Sequence, residues 1–313
     1  MRAVTIEDGK LQVVDHPDPR PGKGEVLVSV RAAGLNGADM MQRKGHYPAP
    51  PGSPADIPGL ELAGEVVGLG EAATRFKEGD RVMAIVGGGG QAELAVVHER
   101  QAMPVPDALD WPAAGGTPEV FTTAHDALFT QAGLGAGERL LVHGAAGGVG
   151  TAAVQLARAA GARVTATVRN EAHRGEVAGF GADAIACEGF EEHGPFDVIL
   201  ELVGAPNMEG NLRSLATNGR IVIIGIGAGG KVEFHLGALM GPRATIRGST
   251  LRARPLEEKA AAMRAVERHV LPQFETGDLR VPIAETFPLE QAADAYERFE
   301  AGGKLGKIVL VTG

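Results

Sequence analysis

Cys187 is the only cysteine in 313 residues, which excludes an internal disulfide and any metal site built from several cysteines. Aromatic residues make up 4% of the chain, so the interior must be built mainly from aliphatic side chains. No apolar run approaches the roughly 20 uncharged residues that span a bilayer. Met1–Lys10 carries Glu7 and Asp8 where a secretory leader would be apolar. The expected compartment is therefore the cytoplasm, with no membrane partner. Positive charge is also scarce: 30 Lys and Arg against 39 Asp and Glu give −9, with no basic run, so nucleic acid is not an expected partner.

What is abundant is glycine, 46 residues, in a chain long enough for two domains with separate cores. Two textures follow one another. From Met1 to about Trp111, short β-like runs (RAVTIE, LQVVDH, EVLVSVRAAG, LELAGEVVGLG, DRVMAIV, QAELAVV) alternate with Gly/Pro turns and predict a β-rich domain. Within it, Gly45–Gly59 holds Pro48, Pro50, Pro51, Pro54 and Pro58, which rules out a helix or central strand and predicts an ordered loop. From about Pro118 the texture becomes βαβ, which predicts a doubly wound parallel sheet. Its further strands are expected at Asp197–Val203 and Arg220–Ile226, with an edge strand at Thr245–Ser249. Pro255–Phe274 and Leu289–Ala301 read as helices and Lys307–Val311 as a last strand.

The densest information lies in LLVHGAAGGVGTAAVQLARAAGARVTATV, Leu140–Val168. An apolar run stops at Gly144, Ala145, Ala146, Gly147, Gly148, Val149 and Gly150; a helical pattern follows to Gly161, and a second apolar run covers Val164–Val168. Strand, glycine turn, helix and strand in this order form a dinucleotide-binding unit. Small residues let the backbone approach a pyrophosphate, and the helix N-terminus offers free N–H groups to its charge.

The chain as a whole resembles the zinc-free medium-chain dehydrogenases/reductases of the quinone oxidoreductase (zeta-crystallin-like) branch. The resemblance is carried by GLNGADMMQRKGHYP (Gly34–Pro48), PGLELAGEVVGLG (Pro58–Gly70), FKEGDRVMA (Phe76–Ala84), TTAHDAL (Thr122–Leu128), HGAAGGVGTAAVQLA (His143–Ala157) and LGKIVL (Leu305–Leu310). It implies an α/β fold: a GroES-like β-rich catalytic domain, 1–117 and 268–313, with a Rossmann NADP-binding domain, 118–267, inserted. It also implies a homodimer paired through Rossmann edge strands at Thr245–Leu251. Zinc-dependent members of the wider superfamily place ligands near Asn36 and at a Gly-His-Glu triplet. Here the triplet reads Gly59-Leu60-Glu61, so no metal is expected, and Leu60 and Glu61 are expected to be structural.

Without a metal to polarise a carbonyl, hydride delivery suits an acceptor that is already electron-poor, a quinone or enone. The resemblance places Asn36, Asp39 and Tyr47 around nicotinamide and acceptor. A loop anchor remains open for Tyr47, a left-handed turn residue for Asn36 and a helix-terminal carboxylate for Asp39. Met41 stands where some relatives have a second tyrosine, which predicts a more apolar acceptor pocket. For the cofactor, Val168 occupies the place of the acidic residue that grips a ribose 2′-hydroxyl. Arg169, with Asn170, His173 and Arg174 close by, offers a site for a 2′-phosphate, so NADPH is expected; a solvated helix start is the alternative. Thr123 matches the family's threonine near the nicotinamide ribose, or else bonds within its own helix. Val203, Gly204, Gly225 and Ile226 end parallel strands where ligands bind, although core packing accounts for the two apolar ones equally well. Leu251 and Lys307 are carried over as further cofactor contacts, Lys307 reaching phosphate or else facing solvent. The expected activity is NADPH-dependent quinone reduction, with enoyl or alkenal reduction, or a non-catalytic NADPH-binding role like that of crystallin relatives, as alternatives.

Overall fold

The computed structural model describes all 313 residues. Packing divides them into two units, Met1–Thr122 with Leu251–Gly313, and Thr123–Thr250.

The first unit opens on an antiparallel pair, β1 (Arg2–Glu7) and β2 (Lys10–Asp15). Next come β3 (Glu25–Gly34), helix α1 (Gly37–Arg43), β4 (Glu61–Leu69), β5 (Arg81–Ile85), β6 (Leu94–His98) and β7 (Ala102–Pro104). Valine at every second position makes β3 a strand with one dry face: Val26, Val28 and Val30 are buried against Leu62, Val66, Val82 and Val97. Gly45–Gly59 contains neither helix nor strand, as its prolines require. Two helices follow, α2 (Trp111–Gly115) and α3 (Pro118–His125).

The second unit is one sheet. Its strands are β8 (Arg139–Val142), β9 (Arg163–Thr167), β10 (Asp183–Ile185), β11 (Phe196–Glu201), β12 (Leu215–Ile223) and β13 (Thr245–Gly248). They lie in the order β10-β9-β8-β11-β12-β13, and every pairing is parallel. Helices α4 (Gly148–Ala159), α5 (Arg174–Gly179), α6 (Met208–Arg213) and α7 (Gly237–Met240) connect them.

The chain re-enters the first unit through α8 (Leu256–His269), α9 (Leu271–Glu275), β14 (Ile283–Pro288), α10 (Ala292–Glu300) and β15 (Lys307–Val311). β15 pairs antiparallel with β3 and completes a seven-stranded sheet.

Three expectations need correction. The boundaries 117/118 and 267/268 move to 122/123 and 250/251, because α8 packs with the β-rich unit. It buries Met263 and Val266 and pairs Glu267 with Arg75 and Glu257 with Arg100. The long C-terminal helix is two, since Pro272 can open α9 but cannot continue α8. The edge strand ends at Gly248, so Leu251 is not part of it but is buried in the first unit.

Candidate active site

In the second unit the turn after β8 leads into α4. Gly144 holds a positive φ of 64°, and a Cβ on Gly150 would lie 2.5 Å from the Gly144 carbonyl oxygen, so strand and helix meet only because both are glycine. Gly147 has no such internal reason: a Cβ there would approach nothing closer than 3.4 Å. It is the N-cap of the twelve-residue α4 and supplies no side-chain cap, which leaves the first-turn N–H groups available to an anion. The turn therefore fits a dinucleotide pyrophosphate.

Val203 is half-buried against Gly144, and Ile226 is 49% exposed, so neither belongs to the core. Gly204 and Gly225 lie beside them at the carboxyl ends of β11 and β12. A polar cluster that sequence reasoning left without a role fixes this edge. Glu201, fully buried, accepts from the backbone N–H groups of Val203 (2.7 Å) and Gly204 (2.8 Å) and from the side-chain amides of Asn207 and Asn211. Because Asn211 donates to that carboxylate, its oxygen must face His143, whose Nε2 lies 2.7 Å away and carries the proton. Burial holds His143 below its usual value, against the opposing pull of Glu201, so the 3.9 Å approach of the two is not an ion pair near neutral pH.

At the end of β9, Val168 is buried while Arg169 and Asn170 are exposed. The Asn170 side chain accepts from the Ala172 N–H and caps the following turn. Arg174 is 3.8 Å from Glu171, whereas Arg169 makes no ion pair. His173 is half-buried. Thr123 is half-buried within α3.

In the first unit, Asn36 caps α1 with an extended backbone (φ −130°, ψ 157°), so the left-handed turn considered from sequence is absent. Asp39 is fully buried and serves the backbone. Its two oxygens accept from the N–H groups of Asn36 (2.8 Å) and Gly59 (3.2 Å). The catalytic expectation for Asp39 is thereby corrected to that of a helix-terminal carboxylate.

Burial raises Asp39 to about 7, while these N–H donors and Lys307 and Arg252 hold it back. Its folded value exceeds the unfolded one near 4, so the native chain binds the extra proton between them. That contribution is complete below about pH 4 and lost as pH rises through 7. Thermal stability is therefore expected to fall between pH 5 and 8, and Asp39→Asn to flatten the fall. An unchanged slope in the variant's melts would assign it elsewhere.

Lys307 also departs from expectation. It is 3% exposed, and its three N–H groups go to Leu35 O (2.7 Å), Asn36 Oδ1 (2.8 Å) and Glu61 Oε1 (2.6 Å). It neither faces solvent nor has a proton left for a phosphate. Glu61 is fully buried and also accepts from Asn36 Nδ2 (2.9 Å) and the Glu119 N–H (2.8 Å). An ammonium only donates, so the Asn36 amide is fixed with its oxygen toward Lys307 and both amide protons spent on Glu61 and Gly34 O. Asn36 therefore has no amide proton left to donate to a ligand.

Tyr47 is half-buried in the proline-rich loop, and its hydroxyl has no partner in the protein. Burial and Glu119 push the phenol above its usual value, with Arg252 opposing. The Arg252 guanidinium carbon lies 5.2 Å from the Tyr47 ring centroid. This arginine escaped sequence reasoning, and it sets a cation beside Tyr47 where Met41 had predicted an apolar surround.

Residues 22–107 match the alcohol dehydrogenase GroES-like domain, and residues 148–268 match the zinc-binding dehydrogenase domain. A quinone oxidoreductase from Lama guanicoe is 34% identical over 99% of this chain and 97% of its own. The chain belongs to the medium-chain dehydrogenase/reductase family. Another quinone oxidoreductase, from Pseudomonas aeruginosa, is 33% identical over 96% of this chain and 95% of its own. Among solved structures, an alcohol dehydrogenase superfamily protein from Novosphingobium aromaticivorans superposes with a TM-score of 0.89 at 28% identity, each chain fully covered. As a medium-chain family member the chain is an oxidoreductase that works with a nicotinamide cofactor, on a GroES-like domain and a Rossmann-type domain. No helix is long and apolar enough to cross a membrane.

Proposed function

We propose that this family member reduces quinones or other conjugated carbonyls with NADPH and without a catalytic metal. The observation that carries the reading is the Lys307 ammonium, held by Leu35 O, Asn36 and Glu61 at positions near which zinc-dependent relatives place ligands. No three His, Cys, Asp or Glu side chains cluster closely enough to hold a metal ion. When bound, the dihydronicotinamide supplies a hydride, and the acceptor takes its two electrons and later a proton from water. The chain's own groups bind and orient. Gly144–Gly150 cradles the pyrophosphate, Val203, Gly204, Gly225 and Ile226 border the groove, and Asn36 accepts from a ligand hydroxyl. Tyr47 donates to the acceptor oxygen as negative charge develops on it. Thr123, and Leu251 through its backbone, remain as contacts to the nicotinamide end.

NADPH over NADH rests on exposed, unpaired Arg169 beyond Val168. Oxidation of each cofactor, followed at 340 nm against 1,2- and 1,4-quinones and alkenals, tests both parts. Arg169→Ala is expected to raise KM for NADPH about 10- to 100-fold, the worth of a charge-assisted hydrogen bond, with a much smaller effect on NADH. Equal effects on the two cofactors count against the assignment. Turnover of alkenals alone shifts the reading to an alkenal reductase, and tight NADPH binding without turnover to a non-catalytic role.

A homodimer belongs to the same reading. β13 is an edge strand with one side unpaired, and Leu236 and Met240 beside it are 70% and 77% exposed. Sedimentation at micromolar concentration is expected to give twice the chain mass of 32.3 kDa. A single-chain mass overturns the dimer.

A further inference from the structure

Arg252 is 3% exposed and makes no ion pair. Nε donates to Gly87 O (2.7 Å), one terminal nitrogen to Tyr47 O (2.9 Å) and the other to Gln42 Oε1 (2.6 Å). A guanidinium has five N–H groups, so one on each terminal nitrogen has no acceptor in the chain. All three acceptors are neutral, and the charge itself is left uncompensated. Lys259, half-buried, donates to Arg252 O at 3.5 Å and adds a second cation nearby. Glu119 and Asp39 act on Arg252 through space without pairing with it, and Asp39 is partly protonated near neutral pH. A buried charge of this kind is costly unless a ligand completes it.

We propose that Arg252, beside the unpartnered Tyr47 hydroxyl, forms an oxyanion subsite for the acceptor, favouring quinones or enones that carry a carboxylate or sulfonate. The proposal rests on Tyr47 being an acceptor contact. The two free N–H groups bind the acidic substituent, the ring of Tyr47 backs the guanidinium, and the Tyr47 hydroxyl serves the reacting carbonyl. An oxyanion could also come from the cofactor's phosphates, and the test separates the two sources.

Titration calorimetry on the protein alone is the first arm. Naphthalene-2-sulfonate is expected to bind the wild type and R252K, and R252Q at least about 10-fold more weakly, the loss of a charge-assisted bond. Adenosine 2′,5′-bisphosphate is expected to bind all three alike. Equal sulfonate binding by all three proteins, or weakened bisphosphate binding in R252Q, overturns the subsite. In the second arm, the wild type is expected to prefer 1,2-naphthoquinone-4-sulfonate over 1,2-naphthoquinone in kcat/KM, and R252Q to lose that preference by about 30-fold. An equal loss for both acceptors would make Arg252 only a clasp for the loop. If R252Q does not fold, wild-type binding of the sulfonate against uncharged naphthalene decides, and the absence of a preference overturns the proposal. A wild type that turns over no quinone sinks the functional reading, while calorimetry still judges the subsite.

Discussion

Glu61→Ala is expected to lower the stability of the β-rich unit by about 3–5 kcal/mol, the cost of removing one partner from a buried ion pair. Lys307 would keep its charge at 3% exposure with only two neutral acceptors, Leu35 O and the Asn36 amide. Asn36 Nδ2 and the Glu119 N–H would each lose a partner. At about 2–4 °C per kcal/mol for a unit of this size, the melting transition drops by roughly 6–20 °C. The pairing itself is worth less than that figure, since apolar replacement of both ions is often neutral. A Glu61→Leu, Lys307→Met double variant is accordingly expected to recover part of the loss: it removes the unpaired charge but still leaves Asn36 Nδ2 and the Glu119 N–H without acceptors. If Glu61→Ala melts within a degree or two of the wild type, water reaches Lys307 and the site is wetter than its burial implies.

Tyr47→Phe is expected to lower kcat by about 10²–10³-fold, the measured range for removing one oxyanion donor, with little change in KM for NADPH. The Tyr47 hydroxyl bonds to nothing in the chain, so its loss costs no folding energy, and a phenylalanine ring still lies against the Arg252 guanidinium. The variant thus separates a donor from a loop anchor: an anchor predicts kcat within about threefold of wild type. Asn36 cannot compensate, because Lys307 fixes its oxygen and its two amide protons are spent on Glu61 and Gly34 O.

The parts of this molecule that were legible in the sequence are those governed by local rules. The βαβ unit at Leu140–Val168 could be read because turn glycines and alternating apolar runs lie within about thirty residues. The proline-rich loop could be read because proline forbids the alternatives. The polar interior could not. Arg252 meets Gly87 and Gln42 at sequence separations of 165 and 210, and nothing in the local text of LRARPLEEK tells a buried arginine from a solvated one. Lys307 was misplaced for the same reason, being carried by a strand whose partner residue lies 246 positions earlier. For Asp39 the local signal existed: Asn36 three residues before a carboxylate is a helix start, and that plain reading is the one the structure bears out.

The Glu61–Lys307 pair also sets an order of events during synthesis. Residues 123–250 are contiguous, so every strand of their sheet has been made once residue 250 is translated. The β-rich unit instead holds a buried carboxylate whose counter-charge is translated 246 residues later, which at 5–20 residues per second is roughly 10–50 s. Until β15 arrives, β3 lacks a neighbour and Glu61 lacks its cation, so the half of the chain made first is the half that must finish last.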